Sequence, residues 1–157
     1  MIHFLQNQDM LKGNHQAIVN PVNTVGVMGA GLALEISKRY PEACSLYNYL
    51  CKRDTLEGGT VKCYPNRDSD SPQFIIMFAT KEHYKDRSHI SYIETGLKNL
   101  VGVIRTAKIT NIGIPALGCG LGKLKWDKVK ALILKELKQI EGSCEIYIYE
   151  PNNANKN

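Results

Sequence analysis

The chain has 157 residues, enough for one domain with a sizeable core. Apolar residues make up 43% and charged residues 22%, which excludes a disordered chain. The formal net charge of +5 favours an anionic partner without specifying one. "IHFL" and "AIVN" open the chain as short strands, and "AGLALEISKRY" and "EACSLYNYLCKR" follow as helices parted by Pro41. "TVKCY" and "QFIIMFA" return to strand character across the turn-rich "PNRDSDSP". From Ser88 to Ala107, Ile90, Ile93, Leu97, Leu100, Val101 and Ile104 recur at helical steps, with Ser91 and Glu94 spaced as a capping box. The strand "ITNIGIPA" comes next, then a helix from Trp126 to Ile140 with Val129, Leu132, Ile133, Glu136 and Leu137 on one face, and a last strand, "CEIYIY". Strands alternating with helices argue for an α/β layered sheet covered on both faces. The tail "NNANKN" reads as frayed.

Cys44, Cys51, Cys63, Cys119 and Cys144 are odd in number and form no CxxC or zinc-type pair. "MIHFLQNQDM" turns polar at Gln6 and does not read as a signal peptide, and no apolar run approaches the ~20 residues of a membrane span. The expectation is a reduced, cytoplasmic protein without a membrane segment. Cys44 and Cys51 stand at helical spacing, where core packing is their reading.

Two glycine-rich strand exits stand out. "NTVGVMGAGLA" follows "AIVNPV" and carries Gly26, Gly29 and Gly31; "PALGCGLGKLKW" follows "ITNIGI" and carries Gly118, Gly120 and Gly122. Each glycine costs about 0.5–1 kcal/mol against alanine inside regular structure, so something must need close approach to the backbone. Ligands of open α/β sheets bind beyond the carboxyl ends of the strands, and a glycine loop feeding a helix offers N–H groups to phosphate. Two such loops suggest a diphosphate held between them. The first loop is spaced GxxGxG, so it is not a dinucleotide fingerprint, and no GxxxxGK[ST] is present.

"HFLQNQDML", "HQAIVNPVNTVGVMGAGLALEISKRYPE" and "IPALGCGLGKLKW" together resemble the macrodomain family over Ile2 to Pro151. The resemblance implies a single three-layer α/β/α domain over residues 1–151 with a mixed central sheet, a disordered tail over 152–157, and ADP-ribose as ligand. "VGVMGAGLAL", "FATKEHY" and "LGCGLGKLKW" are most similar to the branch that holds the DarG antitoxins, which act on ADP-ribosylated DNA, and the terminal ADP-ribose protein glycohydrolases. More typical members carry "NAAN" and a longer "GGGV" loop, where this chain has "NPVN" and "TVGVMGAG".

By this resemblance Gly26, Val27, Met28, Gly29 and Gly31 form the first phosphate loop, and Leu117, Gly118, Cys119, Gly120, Leu121 and Gly122 the second. Asp9 matches the aspartate that accepts from the adenine amino group; a cap after the first strand is its other reading. Asn23 matches the asparagine at the distal ribose, or else makes an Asx turn. Lys81, after "FIIMFAT", is the lysine implicated in attack on the ribose C1″; otherwise it binds by charge or is solvated at a strand end. As a nucleophile it must be partly neutral, which takes burial or a cationic neighbour. The terminal glycohydrolases carry an acidic residue where this chain has Gly122, whereas the DNA-acting branch has glycine.

The implied function is a macrodomain hydrolase that removes ADP-ribose from modified DNA or protein, with no cofactor and no metal. A phosphatase of ADP-ribose 1″-phosphate and a non-catalytic reader use the same pocket. Lys81, Lys85 and Arg87 surround His83 and Tyr84, and Lys123, Lys125 and Lys128 flank Trp126, as in proteins that bind single-stranded nucleic acid. Glu82, Asp86 and Asp127 dilute both groups. Trp126 also reads as a core anchor, and His83 and Tyr84 as a lid over the ribose. A monomer in a bacterial or phage setting is the expectation by analogy.

Overall fold

The computed structural model describes residues 1–152, so beyond Asn152 the expected disordered tail lies outside the described residues. Six strands form one sheet: β1 (Ile2–Leu5), β2 (Ala17–Asn23), β3 (Val61–Pro65), β4 (Phe74–Lys81), β5 (Asn111–Ile114) and β6 (Glu145–Tyr149), in the order β1-β6-β5-β2-β4-β3. All neighbours pair in parallel except β3, which runs antiparallel to β4 at one edge, so the sheet is mixed.

The helices are α1 (Gly31–Arg39), α2 (Pro41–Arg53), α3 (Ile90–Ala107) and α4 (Trp126–Leu137). Pro41 separates the first two as the sequence predicts: the residue before proline avoids helical angles, and proline itself suits the first turn of α2. Ile36, Ala43, Cys44 and Tyr47 of α1 and α2 bury against Ile18, Val22, Ile75, Met77 and Ala79 on one sheet face. On the other face, Ile93, Leu97, Leu100, Val101 and Ile104 of α3 and Val129, Ile133 and Leu137 of α4 pack on Val19, Ile76, Phe78, Ile112 and Ile146. Alternate strand residues supply the two faces, as the two-residue period of a strand requires. The result is the expected three-layer α/β/α arrangement.

Two local expectations are corrected. Ser91 and Glu94 make no capping box, because α3 starts two residues earlier, behind His89, and no side chain caps it. Ile90 belongs to the apolar period but lies in the exposed first turn of α3. A short 3-10 turn, Met10–Lys12, follows β1, as the cap reading of Asp9 has it. All five cysteines are free thiols, Cys51 only half-buried. Among the described residues no helix is long and apolar enough to cross a membrane, and no three His, Cys, Asp or Glu side chains gather as metal ligands.

Candidate functional site

β2, β4, β5 and β6 run in parallel, so Asn23, Lys81, Ile114 and Tyr149 end at the same edge of the sheet. From β2 the chain passes to α1 on one face, and from β5 to α4 on the other. A crevice must open where neighbouring strands send their helices to opposite faces. β5 deepens it by pairing only with Ala17 and Ile18, which leaves Pro21, Val22 and Asn23 unaccompanied on that side. The outcome is a half-enclosed cavity of about 950 Å³ lined by residues that follow all four strands. That volume suits a ligand of nucleotide size or larger.

Asn23 organises the first loop. Its side-chain Oδ1 accepts from the N–H groups of Val25 and Val27, both at 3.2 Å, and its Nδ2 donates to the Val27 carbonyl at 2.8 Å. This is the Asx-type turn of the alternative reading, made by a residue that also lines the cavity. The Asn23 carbonyl accepts from the Tyr47 hydroxyl at 2.8 Å, fixing the loop to α2. Thr24 holds the other side, donating from its N–H (3.0 Å) and its hydroxyl (2.9 Å) to the Glu82 carbonyl. Val27, Met28, Gly29 and Gly31 line the cavity as expected; Gly26 does not. At φ +79° Gly26 needs the left-handed region, and a Cβ there would sit 3.1 Å from the Asn48 backbone, so its role is to press the loop against α2.

The amino end of α1 completes this wall. Ala30, Gly31, Leu32 and Ala33 line the cavity, and no side chain caps the helix. Its first N–H groups lack intrahelical partners, so they and the positive end of the helix dipole are offered to an anion.

The second loop divides its glycines by task. Gly120 and Leu121 are exposed at the cavity, and nothing lies within 4 Å of a Cβ built on Gly120. Gly122 also lines the cavity, but a Cβ there would strike Ser88 and stand 2.6 Å from the Gly118 carbonyl. Gly118 adopts φ +74°. Leu117 and Cys119 do not line the cavity: both are buried in the core beneath the loop. Nor does this loop run straight into a helix, because α4 begins only at Trp126.

Lys81 stands opposite Asn23 across a bulge at the end of β2, half-buried at the cavity wall. Its Nζ donates to the Tyr84 carbonyl at 3.0 Å. Among the described residues no carboxylate pairs with it. Asp9 is not on the cavity wall; its Oδ1 caps the Met10–Lys12 turn by accepting from the Leu11 N–H at 2.9 Å.

Sequence reasoning missed the wall that β6 supplies, Tyr149 to Asn152. Tyr149 donates its hydroxyl to Nε2 of buried His15 at 2.6 Å, while His15 Nδ1 donates to Asn111 Oδ1 at 2.7 Å. Burial lowers the His15 pKa, against the opposing effect of Asn111, which keeps the ring neutral and able to accept. Gly13 and Gly113 make room for this pair, since a Cβ on either would strike the imidazole. Glu150 accepts from the Trp126 indole N–H at 2.8 Å and pairs with Lys130 at 3.3 Å. Burial opposes ionisation of Glu150, but its hydrogen bonds to Trp126, Gln6 and Lys130 outweigh that and lower its pKa. Trp126 is thus a buried anchor and not a stacking platform. The only signal for this wall is the parallel order of the sheet, which puts the end of β6 beside the glycine loops.

Glycine loops and an uncapped helix at the carboxyl edge of an α/β/α sheet define a domain built to receive a phosphorylated ligand. The Macro domain family model matches residues 19–133, and the chain belongs to that family. Within it the chain is similar to the DarG group. It is 37% identical over 151 residues to the DNA ADP-ribosyl glycohydrolase of Thermus aquaticus, covering 96% of this chain and 41% of that protein. The macrodomain of Mycobacterium tuberculosis DarG superposes with a TM-score of 0.91 at 37% identity, over 97% of this chain and 99% of that one. Thermosipho africanus DarTG, solved in complex with ADP-ribose, gives a TM-score of 0.84 at 33% identity, over 95% of this chain and 42% of that one. The chain therefore spans about two fifths of the length of the DNA ADP-ribosyl glycohydrolases it matches.

Proposed function

We propose that this macrodomain, over residues 1–151, binds ADP-ribose and releases it from modified DNA, with Lys81 acting at the anomeric carbon. In this reading the diphosphate lies against the backbone of Val27 to Gly31 and Gly118 to Gly122. The adenine reaches toward Asp9 and Tyr149, and the distal ribose toward Asn23 and Lys81. The neutral Lys81 amine attacks C1″ as the bond to the base breaks, and the proton shed by the new C–N ammonium passes to the departing base atom. Water then displaces the lysine and frees ADP-ribose. One observation carries the reading: Lys81 lines the same cavity as both glycine loops, its Nζ held by a carbonyl instead of an ion pair. Glycine at position 122 supports DNA over protein, because a loop carboxylate of the protein-acting kind would run into Ser88. In this reading the enzyme acts as a monomer, and its five free thiols suit the reducing cytoplasm.

The test is Lys81→Ala, offered ADP-ribosylated single-stranded DNA, ADP-ribosylated protein and ADP-ribose 1″-phosphate. Affinity for free ADP-ribose stays within about tenfold, ~1.4 kcal/mol, while release from DNA is lost. Phosphate release that survives in the mutant moves the assignment to a phosphatase. Wild-type binding without any turnover makes the chain a reader.

A further inference from the structure

Beyond Lys81 the segment 82–89, between β4 and α3, brings Tyr84 to the lip of the cavity. The His83 and Tyr84 rings lie tilted against each other there, with centroids 4.2 Å apart and planes inclined by 30°. Tyr84 keeps 45% of its surface exposed, and the Lys85 ammonium lies 5.8 Å from its ring centre. The bond from Lys81 Nζ to the Tyr84 carbonyl ties this ring pair to the reacting lysine. Leu121, 67% exposed, forms the opposite lip. Arg87 reaches the Lys123 carbonyl at 3.5 Å and so links the two lips.

The charge here is unbalanced. Among the described residues neither Lys85, Arg87 nor Lys123 pairs with a carboxylate. Of the nearby acids, Glu82 turns its carboxylate to the Gly58 N–H at 3.4 Å, and neither it nor Asp86 forms an ion pair with the three cations. Exposed rings beside unpaired cations fit a chain that alternates phosphates with flat bases. An acidic peptide satisfies the cations but leaves the rings and Leu121 uncovered. A duplex satisfies the cations but has its base faces already stacked.

We propose that this lip binds the single strand that flanks the ADP-ribosylated nucleotide: a neighbouring base stacks on Tyr84, and its phosphates lie on Lys85, Arg87 and Lys123. The inference rests on the DNA glycohydrolase reading and names how the strand is held. It explains how a site with one deep cavity for ADP-ribose distinguishes a modified strand from the free ligand.

The test is fluorescence anisotropy with a short unmodified single-stranded DNA, its duplex and a polyglutamate peptide as probes. Calorimetry with free ADP-ribose serves as the control. Wild type binds the single strand more tightly than the duplex or the peptide, with affinity that falls as salt rises. Lys85→Glu weakens strand binding at least fivefold and flattens the salt slope by about one phosphate contact, while ADP-ribose affinity is unchanged. Tyr84→Ala costs about 5- to 150-fold in strand affinity, the range for one stacked base. Variants that bind the strand as wild type does overturn the proposal, as does tighter binding of the duplex or the peptide. Release assays separate the two readings. Equal turnover of an ADP-ribosylated mononucleoside and an ADP-ribosylated strand overturns the lip and leaves the glycohydrolase standing. Strand binding lost in both variants without turnover of any substrate upholds the lip and removes the glycohydrolase.

Discussion

Gly120 and Gly122 are two residues apart in one loop, and the structure assigns their substitutions opposite consequences. At Gly122 an alanine Cβ strikes the Ser88 hydroxyl and lies 2.6 Å from the Gly118 carbonyl oxygen. Neither neighbour is free to retreat: the Gly118 carbonyl accepts from the Leu124 N–H at 2.9 Å, and the Ser88 N–H donates to the Gly122 carbonyl at 3.1 Å. Overpacking of this kind costs about 1–3 kcal/mol, which for a chain of this size lowers Tm by about 2–12 °C. At Gly120 a Cβ meets nothing within 4 Å and no left-handed angle is needed, so Gly120→Val changes stability by less than about 0.5 kcal/mol. The valine instead projects where ligand approaches, and ADP-ribose affinity falls more than about tenfold, ~1.4 kcal/mol. Thermal unfolding without ligand, paired with calorimetric titration of ADP-ribose, reads both effects. A Gly120→Val protein that binds normally, or a Gly122→Ala protein that melts with wild type, refutes this division of the loop.

Asp9→Asn retains the side-chain oxygen that caps Leu11, so unfolding is unchanged, while loss of the charge weakens ADP-ribose binding by about 1–3 kcal/mol; equal affinity would make Asp9 a cap alone. His15 gives a pH signature. Its folded pKa is lowered by burial, so as pH falls through its unfolded value of about 6.5 the unfolded chain takes up a proton before the folded one does. Stability contributed by neutral His15 is therefore full above that pH and declines below it. Denaturant titrations of wild type and His15→Leu from about pH 8 to pH 5 test this, and a decline equally steep in the variant would exclude His15 as its source.

How much was legible follows from what kind of signal each feature leaves. The helices and strands carry regular apolar periods, and the glycine loops and Lys81 carry chemistry in contiguous residues, so both were readable along the chain. Asn23 was readable as a site residue, but its three hydrogen bonds into its own loop are local geometry that only coordinates reveal. Leu117 and Cys119 were grouped with the phosphate loop because glycines flank them; alternation in a tight loop turns their side chains into the core. The His15–Tyr149 pair joins residues 134 positions apart and is marked only by glycines cleared around it, so no pattern along the chain announces it.

Cys119 turns the second loop into its own clock. Its buried thiol is pushed up to about 12 and its Sγ faces the Leu117 carbonyl at 3.5 Å. At neutral pH the sulfur is therefore held as the thiol, and alkylating reagents consume thiolates. Modification of this sulfur consequently waits for the loop to lift and let in water. The rate at which an alkylating reagent accumulates on Cys119 counts those openings, and a diphosphate seated against the loop slows the count without touching the cysteine.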